Sequence, residues 1–157
     1  VSGSELVGTA IAELFADNGL SDAVDEVGPF RRHRGERLLV LEGDAFAVQP
    51  EHLGGPVDAV YDRAALVALH PQTRESYVAS LVRVLAPGAT VLLVTFDYDQ
   101  SKLDGPPWAV TSEAVHTLYS AFDVKLLEER EASAGPKFAA AGVSALHERL
   151  YALTLRG

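Results

Sequence analysis

Apolar residues recur along the chain in two rhythms that alternate from segment to segment. Leu6, Ala10, Ile11, Leu14 and Phe15 share one helical face, Ser4 stands where an N-cap belongs, and Asn18 with Gly19 supplies a stop, so the spacing predicts a helix over 6–18. The preceding residues 1–5 carry one bulky apolar side chain and make a poor strand candidate. Residues 38–41 form a continuous apolar run closed by Glu42, Gly43 and Asp44, the pattern of a strand buried on both faces. A second short strand, 57–61, stops at the charged pair Asp62 and Arg63 and gives way to a short helix.

Tyr77, Val78, Leu81, Val82 and Leu85 line the clearest helix, which opens near Pro71 and breaks at Pro87 and Gly88. The strongest strand follows at 90–96, TVLLVTF, placed in mid-sheet by its unbroken apolar, β-branched character. After a polar loop with two prolines, Thr111 caps a helix with Val115, Leu118 and Tyr119 on its inner face. Strands at 122–127 and 149–155 close the chain, joined by a Gly- and Pro-containing loop of about 20 residues, a length often associated with function. Strand and helix in alternation predict a mostly parallel α/β sheet, with the final strand antiparallel.

Composition narrows the class. The chain has 157 residues, 48% apolar and 22% charged, which is enough for one domain with a real core. A net charge of −9 repels phosphate backbones and anionic lipid, so nucleic acid and membrane are not expected as partners. Arg31, Arg32, His33, Arg34 and Arg37 form the one basic knot, expected to be a solvated loop. The absence of cysteine excludes disulfides, thiolate zinc sites and a cysteine nucleophile, and fits a cytoplasmic setting. No run is long enough for a membrane span, and with no basic region followed by an apolar core at the start of the sequence no export signal is expected. The chain begins at Val1 and contains no methionine, so it is expected to be processed or part of something longer.

Several chemistries have a partial signature in the residues. GSELVGT at 3–9 has the glycine spacing of a phosphate loop but lacks its lysine. Asp97 and Asp99 could share a magnesium ion, as in aspartate-dependent phosphatases, or simply be polar residues at a strand end. The histidines show no metal-ligand spacing, and no GxSxG elbow occurs. Glu5, just ahead of a helix, suits either a carboxylate that holds ribose hydroxyls or an acid stabilised by the helix dipole.

Taken together, VYDRAALVAL from Val60, VTFDYDQSKLDGPPW from Val94, GDAF from Gly43 and VSGSELVGTAIAELFADNGL from Val1 resemble the bacterial thiopurine S-methyltransferases, a branch of the class I S-adenosylmethionine-dependent methyltransferases. The resemblance runs the length of the chain as one methyltransferase-like domain. It implies a three-layer, Rossmann-like α/β fold with a mostly parallel sheet and an antiparallel C-terminal strand. It implies S-adenosylmethionine as cofactor, with Glu5 on the ribose hydroxyls, Asp44 and Ala45 at the adenine, and Arg63 beside both methyl donor and acceptor. Pro106, Pro107 and Trp108 match the family's GPPF loop and would line the acceptor with a flat apolar wall. Lys137, where the family often has arginine, would approach the acceptor with charge but without a planar fork.

The family's first strand and its glycine-rich turn have no counterpart ahead of Glu5, so the chain is expected to be truncated at its N-terminus, with strand edges left exposed. The reaction implied is methyl transfer to a thiol, selenium or tellurium acceptor, needing no general base and no metal. The chain is expected to be a monomer unless those edges associate. The alternative reading is a non-catalytic α/β domain of the same fold that binds a ligand or partner.

Overall fold

The computed structural model describes residues 1–133 and 135–157, which separate into two compact units, Val1–Pro56 and Val57–Gly157. The first unit contains β1 (Ser2–Glu5), α1 (Gly8–Asp17), β2 (Ala23–Val27), β3 (Phe30–Arg34), β4 (Leu39–Glu42), a 3₁₀ turn at Ala45–Ala47 and α2 (Pro50–Leu53). Its strands lie in the order β1-β4-β3-β2. β1 runs parallel to β4, from Ser2 opposite Leu39 to Glu5 opposite Glu42, and the other two pairings are antiparallel.

Three expectations for this unit are corrected. Residues 2–5 are a strand although all four side chains are exposed, because the backbone ladder to β4 satisfies their amides without any apolar burial. That claims Ser4 and Glu5 for the strand, so α1 starts later than the predicted 6, with Val7 rather than Ser4 at its N-cap position. Leu6 and Leu14 are exposed, and only Ile11 and Phe15 of the predicted stripe are buried, against Val40, Leu20 and Leu38. Most of the basic knot is not a loop: residues 30–34 are β3, whose charges are met by acids on or beside the neighbouring strands, and only Arg37 lies in the bend that follows. Arg32 makes a two-pronged bond to Asp25 at 2.9 and 2.6 Å, Arg31 reaches Glu42, and buried His33 lies between Asp22 (2.8 Å) and Glu42 (3.2 Å).

The second unit contains β5 (Val57–Asp62), α3 (Ala65–Ala68), a 3₁₀ turn at Pro71–Thr73, α4 (Arg74–Val84), β6 (Leu85–Asp97), α5 (Ser112–Leu118), β7 (Phe122–Glu131), α6 (Pro136–Ala140) and β8 (His147–Leu155). Its sheet has the order β5-β6-β8-β7, parallel between β5 and β6 and antiparallel elsewhere. β6 is central, as its composition predicts, and Thr111 caps α5 through a bond from the Ala114 amide. Burial along β6 is uneven, however: Val91, Leu93, Val94 and Thr95 are buried while Thr90, Leu92 and Phe96 are only partly covered. The predicted helix from Pro71 to Pro87 is shorter, with a 3₁₀ turn before it and Leu85 already extended opposite Val57. The long final loop is also shorter than predicted, because β7 and β8 extend to Glu131 and His147 and α6 lies between them.

The α/β class and the antiparallel C-terminal strand follow from the sequence pattern, but the sheets are mixed rather than mostly parallel: among the described residues β1–β4 and β5–β6 are parallel and the other four pairings antiparallel, because hairpin-like returns at β3, β7 and β8 replace helical crossovers. The hairpin β2–β3 has no counterpart in the apolar pattern, because charged pairs rather than apolar alternation line it. Among the described residues β1 pairs only with β4, and β5 only with β6.

Candidate functional site

In the first unit the parallel pairing brings together the two places the resemblance singles out. Glu5 ends β1, Glu42 opposite it ends β4, and the Gly43 amide donates to the Glu5 carbonyl at 2.9 Å, so Asp44 and Ala45 emerge beside Glu5. Carboxyl ends of adjacent parallel strands are where open α/β sheets collect ligands. Gly43 makes this turn because a Cβ there would stand 2.6 Å from the buried Phe30 ring. Glu5 accepts the Leu6 and Val7 amides through one oxygen, at 2.7 and 3.0 Å, which leaves the other oxygen of this exposed side chain available. Glu5 therefore steadies the entry to α1 and still presents a carboxylate oxygen as an acceptor. An open groove of about 360 Å³ runs along β1, lined by Glu5, Ala10, Ile11, Leu14, Leu38 and Val40. Asp44 accepts the Phe46 amide at 2.9 Å and starts the 3₁₀ turn.

In the second unit the charged pair at the end of β5 splits into two roles. Asp62 is buried; it accepts the Ala65 amide at 2.9 Å, the Leu66 amide at 3.3 Å and the Tyr77 hydroxyl at 2.8 Å. Burial raises its pKa above the ordinary carboxylate value, against the opposing pull of these bonds. Burial and the neighbouring Asp62 charge push the Tyr77 phenol far upward, so Tyr77 remains the donor of the pair. Arg63 is exposed and lines a second groove of about 370 Å³ on the sheet face, with Tyr61, Leu92, Val94, Arg130 and Glu148 among its walls.

The loop after β6 forms a separate group. Trp108 is half-buried, with the His70 ring edge-on at 4.8 Å, and its amide donates to the Val67 carbonyl of α3 at 2.6 Å. The indole lies so close over Gly105 that a Cβ there would fall 2.3 Å from it. The Lys137 ammonium donates to the Pro106 carbonyl, which joins α6 to this loop. The structure thus brings Pro106, Pro107, Trp108 and Lys137 together, whereas Arg63 opens onto the sheet-face groove, whose lining contains none of these four.

Arg74, Tyr98 and Gln100 were not singled out, although they hold the loop: Arg74 reaches two of its carbonyls, Tyr98 one, and Gln100 bonds the Ala109 amide. A signal was available. Two adjacent prolines offer carbonyls but no amides, so the loop cannot enter a ladder and needs side-chain donors. The acids of DYDQ are its conspicuous residues in sequence, but they take no part in these bonds. Asp97 instead pairs with Arg149 at 2.5 Å, and Asp99 accepts from the backbone and hydroxyl of Ser101. Ser101 holds the Asp99 carboxyl below its ordinary value. Among the described residues no group of three or more His, Cys, Asp or Glu is arranged to hold a metal, and no helix is long and apolar enough to cross a membrane.

Residues 1–156 match the sequence model of the family described as thiopurine S-methyltransferase. The thiopurine S-methyltransferase of Pseudomonas paraeruginosa is 43% identical over 155 residues, covering 98% of this chain and 71% of that protein. That of Nitrosospira multiformis is 39% identical over 158 residues, with 99% and 71% covered. Among solved structures, a S-adenosylmethionine-dependent methyltransferase from Methanosarcina mazei superposes with a TM-score of 0.68 at 16% identity, over all of this chain and 82% of that one. A 1,6-didemethyltoxoflavin-N1-methyltransferase from Burkholderia thailandensis, solved with S-adenosylhomocysteine, gives 0.59 at 16% identity, over 100% and 61%. At these identities the structures speak for the fold, while the sequence relatives decide the family. The chain belongs to the thiopurine S-methyltransferase family, and with it to the S-adenosylmethionine-dependent methyltransferases.

Proposed function

We propose that the protein transfers a methyl group from S-adenosylmethionine to the sulfur of a small thiol, with an aromatic thiol as the favoured acceptor. The reading is carried by the identity of about two residues in five with named thiopurine S-methyltransferases over nearly the whole chain. The residues fit the cofactor: Glu5 offers a carboxylate oxygen suited to ribose hydroxyls, and Asp44 with Ala45 emerges next to it. When bound, S-adenosylmethionine supplies an electrophilic methyl group on a positively charged sulfur, which an ionised thiol accepts directly.

In this reading the protein binds and orients. Glu5, Asp44 and Ala45 take the adenosine end. Arg63 serves the donor and acceptor, its permanent positive charge favouring the thiolate form of the acceptor. Pro106, Pro107 and Trp108 present apolar surface to a flat heterocycle, and Lys137 adds positive charge on the acceptor side. Aromatic thiols ionise readily, so proximity and orientation carry the acceleration.

Calorimetry with S-adenosylhomocysteine, followed by assay of methyl transfer to an aromatic thiol, tests this. Binding is expected, and Glu5→Gln is expected to weaken it roughly tenfold, in line with loss of a charge-assisted bond. Arg63→Gln is expected to lower turnover more than cofactor affinity. Absence of both binding and turnover would refute the proposal.

A further inference from the structure

The segment Pro106 to Ala109 has a property that the family match does not assign. Four consecutive carbonyls each accept from a side chain of the second unit: Pro106 from Lys137, Pro107 from the Tyr98 hydroxyl at 2.6 Å, Trp108 from Arg74 Nη2 at 3.4 Å and Ala109 from Arg74 Nη1 at 3.1 Å. Gln100 completes the frame, accepting the Ala109 amide at 2.6 Å and donating to Tyr98 and the Leu103 carbonyl. Arg74 is the member with the least freedom. It is 5% exposed, no salt bridge meets it among the described residues, and its Nε lacks a partner. Burial lowers its pKa, as expected for a cation enclosed without an anion.

A buried guanidinium satisfied only by carbonyls is costly to keep, and its rigid fork matches two adjacent carbonyls in a way an ammonium cannot. Its product is the fixed position of Trp108, whose indole is already confined between Gly105 and His70. We propose that Arg74 is a positioning residue for acceptor selectivity: by gripping the Trp108 and Ala109 carbonyls it sets the indole wall against which a flat aromatic thiol is read. A small aliphatic thiol does not need that wall and depends on it less. The inference rests on the methyltransferase reading above for its chemistry, but its geometry can be tested without turnover.

Trp108 is the single tryptophan, so thiophenol binding is followed by quenching of its fluorescence, with 2-mercaptoethanol as the aliphatic comparison. Wild-type protein is expected to bind thiophenol more tightly. Arg74→Met is expected to weaken thiophenol binding about tenfold, the effect of misplacing one recognition surface, and to make Trp108 more accessible to acrylamide. Arg74→Lys is expected to recover part of the loss, and Tyr98→Phe, which removes an independent bond to the same loop, to shift preference in the same direction. In turnover the change is expected in KM for thiophenol rather than in kcat. Thiophenol and acrylamide responses equal to wild type in Arg74→Lys and Tyr98→Phe would overturn the proposal, and so would failure of thiophenol to quench wild-type Trp108. Calorimetry with S-adenosylhomocysteine separates the two readings: loss of cofactor binding in the wild type strikes the methyltransferase function, whereas an unchanged thiol preference strikes only Arg74.

Discussion

Asp62 shows how a single side chain couples chain geometry to pH. Its carboxylate ends β5, starts α3 through the Ala65 and Leu66 amides, and accepts the Tyr77 hydroxyl of α4. Because burial raises its pKa in the folded chain, the native state binds this proton more readily than the unfolded state does. The sign then follows: the Asp62 contribution is fully favourable below the unfolded value near 3.8 and declines as pH rises from there through the raised native value. Asp62→Asn is expected to flatten that part of the stability profile, measured as urea midpoints across the acidic range. Tyr77→Phe removes a donor to the second carboxylate oxygen and is expected to cost about 1–3 kcal/mol at neutral pH, the usual cost of leaving a buried acceptor short of a bond. An unaltered midpoint in Tyr77→Phe would contradict the geometry described.

Two glycines make comparable demands on the turns that carry the candidate site. Gly43 lets the chain leave β4 beneath the Phe30 ring, where a methyl group would come within 2.6 Å of a side chain that is only 2% exposed. Gly43→Ala is expected to destabilise the chain by about 1–3 kcal/mol through overpacking, and to weaken S-adenosylhomocysteine binding by shifting Asp44 and Ala45. Gly105 does the same for the acceptor loop, since any Cβ would displace the Trp108 indole. Gly105→Ala is expected to raise KM for aromatic thiols while leaving the melting temperature close to wild type, because the loop lies outside the buried strands of the sheet. The periodic elements were legible in sequence: α5 with its Thr111 cap, the central β6, and the strand that ends at Asp62. β1 and β3 were not. Neither has the apolar pattern that marks a strand; β1 is held by its ladder to β4, and β3 by pairing with acids on its neighbours.

Ligand linkage offers a test on the intact chain. A ligand that binds only the native state at a hundredfold excess over its Kd adds about 2.7 kcal/mol of stability. For a chain of this size that corresponds to a rise of roughly 5–10 °C in melting temperature, measured by calorimetric scan with S-adenosylhomocysteine. Glu5→Gln is expected to reduce the rise at the same ligand concentration, and a scan unaffected by ligand would count against cofactor binding. The net charge of −9 has a separate consequence. It disfavours polyanionic partners, and in the proposed reaction the positive charge to favour a thiolate acceptor would come locally, from Arg63 and Lys137.

Sequence alone was sufficient for the family and the α/β class, and it nominated the candidate residues, because motifs such as VYDRAALVAL, GDAF and GPPW are local and keep their order. It also placed Arg63 at the end of an apolar strand, since charge after an apolar run is visible without coordinates. Only the tertiary structure separated Asp62 from Arg63, one buried as a cap and the other exposed, because that division depends on Tyr77, 15 residues further on. Only tertiary structure showed that Arg74, Tyr98 and Gln100 hold the Trp108 loop. Those bonds join α4 and the end of β6 to a segment with no ladder of its own, and hydrogen bonds across such separations leave no periodic trace in a sequence.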